Sequence, residues 1–168
     1  MGTTKSGRYM NTKGSGTSPS QFAVVHSNEG SFKWTQIKEN GKTYKRIRLA
    51  SGGHGQRGIE LLEKYGIKYK VVTTLKNGVR LGYVENHKNR KKRSGTAQAW
   101  FPKTWSEKDI KRAGEQVAHL KRNRHVADGI ATFGTYKGVR VGVIRRHGKI
   151  ATIFPDTDQS VALRRRKR

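Results

Sequence analysis

The sequence predicts an α+β fold in which an N-terminal helical and mixed part packs on a C-terminal antiparallel sheet, and three observations predict it. "WSEKDIKRAGEQVAHLKR" sets Ser106 and Asp109 at capping-box spacing ahead of Ile110, Ala113, Gly114 and Val117 at helical intervals. Asn77-Gly78 separates "YKVVTTL" from "VRLGYV", two runs of strand-forming residues around the preferred type I′ hairpin dipeptide. "ATFGTYKGVRVGVIRRHGKIATIFP" reads as three antiparallel strands turning near Lys137-Gly138 and His147-Gly148 and stopped by Pro155. Helical signals followed by a meander fit the segregated α+β pattern.

The 168 residues match one domain by length. Residues 1–20 are Gly, Ser, Thr and Lys with little to bury, so they read as a flexible basic leader. They carry no apolar core of a signal peptide. The domain is expected over residues 21–157, and the charge run "ALRRRKR" places a disordered basic tail over 158–168. Within the domain, "QFAVVH" is either a strand or a helix started by Ser18 and Pro19, and "TYKRIRLA" is a strand. Gln56 to Lys64 forms a helix with Ile59 and Leu62 on one stripe and Gly66 at its C-terminal cap. In the hairpin, alternation puts Val79, Leu81 and Tyr83 on one face, with His87 on the same side if the strand persists.

Charge bounds the partners. Lys and Arg number 37 against 11 Asp and Glu, a net charge of +26. Self-repulsion of that size calls for an anionic partner, nucleic acid or an acidic protein. A membrane is disfavoured, because no apolar stretch has the length of a span and no amphipathic helix pairs a basic face with Trp, Phe or Leu. Cysteine is absent, which excludes disulfides and thiolate metal sites.

Two of the six histidines stand where chemistry could use them. His54 lies in "SGGHGQ", among glycines that expose backbone N–H groups, at the start of the 56–64 helix; His87 is followed by "KNRKKR". Cleaving RNA without a metal needs a base for the 2′-OH proton, an acid for the leaving 5′-oxygen and cations around phosphorus. Two histidines of ordinary pKa near 6.5 can divide that work. His26, His119, His125 and His147 read as solvated or hydrogen-bonded bystanders.

Together, "SGGHGQ…LLEKYGI", "NGVRLGYVENHKNRKKRSGTAQAWFPKTWSEKDI" and "GVRVGVIRRHGKIATIFPD" resemble the bacterial EndoU nuclease domain over about residues 50 to 156. The resemblance implies a fold of the barnase, EndoU, colicin and RelE type. It also implies a metal-independent endoribonuclease that leaves a 2′,3′-cyclic phosphate and needs no cofactor. The family's two catalytic histidines correspond to His54 and His87, and its hydroxyl-aromatic-proline pattern to Thr152, Phe154 and Pro155, where Thr152 joins the catalytic set and Phe154 meets a base. The departures are Phe154 in place of the usual tyrosine, and Gln98 where many relatives carry a lysine. Lys88, Lys91 or Arg93 could supply the missing cation, and Lys88, Lys91, Arg93, Gln98 and Phe154 are the expected substrate contacts. The family setting implies a toxin delivered into a target-cell cytoplasm, RNA such as a tRNA as substrate, and an acidic cognate immunity protein as partner. The competing readings are a non-catalytic basic nucleic-acid-binding protein and a metal-dependent DNase built on "HKN"; the latter has few ligands at metal spacing.

Overall fold

The computed structural model describes residues 16–166, and it is α+β with three small antiparallel sheets. In chain order the elements are α1 (Gln21–Glu29), β1 (Ser31–Glu39), β2 (Lys42–Ser51), α2 (Gln56–Lys64), β3 (Tyr69–Thr74), β4 (Arg80–Val84), β5 (Gln98–Trp100), α3 (Glu107–His119), β6 (Thr132–Tyr136), β7 (Val139–Arg146), β8 (Lys149–Pro155) and α4 (Ser160–Arg166). The sheets are β1-β2, β3-β4-β5 and β6-β7-β8.

Local chemistry explains most boundaries. Ser106 accepts from Asp109 N while the Asp109 carboxylate accepts from Ser106 N, so the capping box starts α3 as expected. "QFAVVH" resolves to helix, capped two residues later than Ser18-Pro19 suggested, with the Ser20 hydroxyl accepting from Ala23 N. Lys137-Gly138 and His147-Gly148 have positive φ at both positions, the geometry of type I′ turns, and the meander follows.

The Asn77-Gly78 turn departs from expectation. Only Gly78 has positive φ, Gly78 N donates to Leu75 O, and Leu75 N donates to Val79 O, so the glycine forms a bulge after an ordinary turn. Asn77 is held by tertiary bonds instead. Its amide donates to Gly138 O (3.1 Å) and to Gln159 Oε1 (2.9 Å), and its oxygen accepts from Val79 N (3.2 Å). The type I′ Asn-Gly geometry occurs at Asn40-Gly41, between β1 and β2, a hairpin for which no expectation was formed.

Two apolar clusters share the middle sheet. Leu81 and Ala99 face α3 and the meander, joining Ile110, Val117, Val141 and Ile153. Val84 and Trp100 face the other way, onto Leu49, Ile59, Leu62 and Ile67. Both faces of β4 are therefore buried, so the expected one-sided alternation fails. The strand also ends at Val84, before it could carry His87.

Both ends need correction. Residues 1–15 of the expected leader lie outside the described residues, but Gly16 O accepts from Arg145 Nε (2.7 Å) and Pro19 is buried, so residues 16–20 are docked. The tail expected to be disordered from 158 forms α4. Ala162 is fully buried, and buried Gln159 bonds Asn77, Arg140 and Asp156 O. Gln159 and Ala162 supply the anchoring that the basic composition conceals.

Asn77→Ala removes three bonds, taking the amide from Gly138 O and one of the two donors from Gln159 Oε1, which keeps Arg140 N. It is expected to cost about 1–3 kcal/mol of stability with an unchanged denaturant m-value, measured by urea unfolding.

Candidate nucleic-acid cleavage site

The site begins at the C-terminus of α1. A helix end leaves carbonyls without intrahelical partners. Here His26 O, Ser27 O and Asn28 O accept from Gly53 N (3.1 Å), His54 N (2.6 Å) and Gly55 N (3.1 Å). The glycines permit this approach. Gly52 and Gly53 have φ of +69° and +71°, and a Cβ on Gly52 would overlap His26 O, as one on Gly55 would overlap the Asn28 amide. The expectation that these glycines expose free N–H groups is corrected, because Gly52, Gly53 and Gly55 are all buried and the 53–55 N–H groups serve α1.

His54 is gripped from the opposite side by β5. Its backbone oxygen accepts from Phe101 N (2.7 Å), and its Nδ1 lies 2.8 Å from Ala99 O. A carbonyl can only accept, so Nδ1 carries the proton and Nε2 keeps its lone pair in the neutral ring. Burial, then the Lys92 charge, push the His54 pKa down to about 3.

His87 is built differently. It forms an isolated parallel bridge with Leu49, and Lys88 N donates to Leu49 O (2.8 Å). Its Nδ1 accepts from Asn89 N (2.8 Å), which puts the neutral ring's proton on Nε2. That Nε2 is buried and has no hydrogen-bond partner among the described residues. Burial, then Lys92 and Arg93, lower the His87 pKa to about 4. The two rings thus carry opposite tautomers.

The cation whose charge acts on both rings is Lys92, which the sequence reading passed over. Asn89 caps the short turn Arg90–Arg93 by accepting from Lys91 N (3.1 Å), and Lys92 N donates to Asn89 O (3.0 Å). Lys92 is half-buried, its own pKa is lowered by desolvation, and its charge depresses both histidines. Of the residues expected in this role, Lys88 and Lys91 are exposed, while Arg93 clamps the loop by donating to His87 O (2.6 Å). The charge run hid the distinction, because only the turn geometry separates the inward lysine from its neighbours.

His54, Lys92, Ala99, Phe154, Asp156 and Thr157 line a cleft of about 160 Å³. Phe154 is half-buried, its ring centroid 6.1 Å from that of His54 and 6.0 Å from Phe133. A Cβ on Gly142 would strike both phenyl rings, so that glycine makes their room. Ile150, Ile153 and Pro155 of β8 are buried, whereas Thr152 and Phe154 share the other, half-buried face. Thr152 does not line the cleft, and Thr157 does. Gln98 is fully buried on the Trp100 side of β5, with neither amide atom partnered among the described residues, so it does not reach the cleft as an expected substrate contact would.

Of the remaining histidines, His119, His125 and His147 are exposed, and His26 is half-buried and hydrogen-bonded to Ser31 Oγ (2.8 Å), packed under Gly52 and near enough to lower the His54 pKa slightly. Among the described residues no group of three or more His, Asp or Glu stands together to hold a metal ion.

The chain matches the family model described as bacterial EndoU nuclease over residues 21–157. No curated protein and no solved structure matches it.

Two outcomes follow for titration. Ring NMR signals of His54 and His87 should titrate below the ordinary 6.5, and Lys92→Gln, by removing a neighbouring positive charge, should raise both pKa values. Because the unfolded chain binds these protons from about pH 6.5 downward and the native chain only near 4 and 3, their stabilising contribution is complete above 6.5. Melting temperature should therefore fall as pH is lowered from 6.5 towards 4.

Proposed function

Because the chain belongs to the bacterial EndoU nuclease family, we propose that it is an endoribonuclease that cleaves RNA without a metal, leaving a 2′,3′-cyclic phosphate and a 5′-hydroxyl. The observation that carries this reading is the complementary pair of rings. His54 offers an unprotonated Nε2 fixed by Ala99 O, and His87 offers a buried Nε2–H fixed by Asn89 N.

In this mechanism His54 Nε2 takes the proton of the 2′-OH, and the 2′-oxygen forms a bond to phosphorus. The bond from phosphorus to the 5′-oxygen breaks, and that oxygen leaves with a proton from His87. Neutral imidazole is too weak an acid, so His87 must first become imidazolium. Burial, then Lys92 and Arg93, hold the empty-site pKa down, and the substrate phosphate supports protonation by offsetting those two charges. Protonation at Nδ1 then costs the Asn89 amide bond. Lys92 faces the charge that develops on the phosphorane oxygens. Phe154 stacks on the base beside the scissile phosphate, Thr152 bonds a base edge or phosphate oxygen from the same strand face, and exposed Lys88 and Lys91 hold the flanking backbone. A protein that only binds nucleic acid has no use for two histidines of opposite tautomer.

The biological setting proposed is a delivered toxin acting in a target-cell cytoplasm, with an acidic immunity protein as its partner. The +26 charge and the family support this. Association with the partner should slow steeply as salt is added; a basic partner, or one that leaves cleavage running, contradicts the reading.

Cleavage should persist in EDTA, and RNA with 2′-deoxyribose at the scissile position should be inert. His54→Ala and His87→Ala should each lower kcat by about 10²-fold or more, and Lys92→Ala should lower it without abolishing binding. Full activity in both histidine variants overturns the assignment. Phe154→Ala should weaken cleavage with a modest loss of melting temperature, and Phe154→Tyr should retain both, because the ring is only half-buried.

A further inference from the structure

The β1–β2 hairpin has no role in the mechanism above and little in the core. Phe32, Ile47 and Leu49 at its base join the apolar cluster around Trp100, while every residue from Lys38 to Arg46 is exposed. Its composition is not that of a solvated loop. Residues 31–51 hold Lys33, Lys38, Lys42, Lys45, Arg46 and Arg48 against a single carboxylate, Glu39.

The register distributes these groups over both faces. Lys33 pairs with Arg48, Thr35 with Arg46 and Ile37 with Tyr44 on one face; Trp34 pairs with Ile47, Gln36 with Lys45 and Lys38 with Thr43 on the other. Trp34 is 65% exposed and Tyr44 38%. Lysines on a free strand edge protect against edge-to-edge pairing and would need no other explanation. A large indole held in water at mid-strand does.

The base of the hairpin is bonded to the segment that carries His87. Asn86 Nδ2 donates to Ile47 O (2.7 Å), Lys88 N to Leu49 O (2.8 Å), and Leu49 bridges His87 itself. A second cleft, of about 370 Å³, opens there between Arg46, Tyr65, Lys68, Glu85 and Asn86. These bonds set the arm beside residues 86–88, with the cations Arg46 and Lys68 and the carboxylate Glu85 lining the cleft at the junction.

We propose that the β1–β2 hairpin is a substrate arm that grips a folded RNA outside the scissile step. Trp34 stacks on a base splayed from a loop or bulge, and Lys33, Lys38, Lys45 and Arg46 contact phosphates on the two sides of the ribbon. Strands of nine residues reach about 30 Å, beyond the scissile nucleotide and its neighbours. The regular A-form major groove is too narrow for side chains to read, and recognition of RNA by stacking needs unstacked bases, which selects a stem-loop over a plain duplex. An acidic protein surface is the less suited occupant, because it would engage one face and leave the cations of the other unmatched.

This inference rests on the nuclease reading for its cleavage test and on binding for an independent one. With the full chain, Trp34→Ala and Lys38→Gln/Lys45→Gln should each lower kcat/KM on a stem-loop RNA about tenfold through KM, the scale of one lost stack or two lost phosphate contacts. On a trinucleotide with the same scissile step the rates should be unchanged. In a His54→Ala background, where RNA stays intact, the double lysine variant should flatten the salt dependence of stem-loop affinity by about two in log–log slope. An equal loss on both RNAs, an unchanged stem-loop rate, or a fall in polyglutamate affinity as large as the fall in RNA affinity overturns the arm. If wild type cuts neither RNA but the binding differences hold, the nuclease reading fails and the arm stands.

Discussion

The site depends on three hydrogen bonds at the end of one helix. The last carbonyls of α1, which a helix cannot satisfy itself, receive Gly53, His54 and Gly55 in succession. That docking turns a glycine-rich loop into a fixed mount, and it is possible only because no Cβ stands at Gly52 or Gly55. α1 is in turn tied to the meander by Ser27, whose hydroxyl donates to Ala23 O and accepts from Ile153 N. One buried serine thus sets the loop bearing His54 in relation to the strand bearing Phe154.

Electrostatics gives the mount its purpose. Among the described residues no carboxylate forms an ion pair with His54, Lys92 or His87, and Asp156, which lines the same cleft, is paired with Arg140 at 2.8 Å. Burial first, and then the uncompensated cations, hold both rings neutral, and half-buried Lys92 beside them carries a pKa lowered by desolvation. Cations gathered in this way are unfavourable to the empty protein and favourable to a bound phosphate, and the same imbalance recurs over the whole chain as +26.

Much of this was legible in the chain itself. The capping box of α3, the span of α2 and the Gly-turned meander follow from local rules, and they appear where those rules put them. His54 stands out by its glycine-rich setting and Phe154, 100 residues on, by the family resemblance, and the fold brings them to one cleft. What stayed hidden depends on tertiary context. Asn77 yields its type I′ geometry to two long-range bonds and a local one from Val79 N, and Ser160–Arg166 becomes a helix because Gln159 and Ala162 are buried against the domain. Lys92 is indistinguishable from Lys91 until the turn capped by Asn89 points one of them inward. The β1–β2 hairpin is the local case: Asn40-Gly41 has positive φ at both positions and so takes the type I′ geometry that Asn77-Gly78 gives up.

The central claim is a division of labour in which His54 removes the 2′-proton and His87 supplies the leaving-group proton. A substrate whose 5′-bridging oxygen is replaced by sulfur tests it most directly, since a thiolate departs without protonation. The account predicts that this substrate restores the rate of His87→Ala towards wild type and leaves His54→Ala slow. Rescue of His54→Ala instead, or of neither variant, would contradict it.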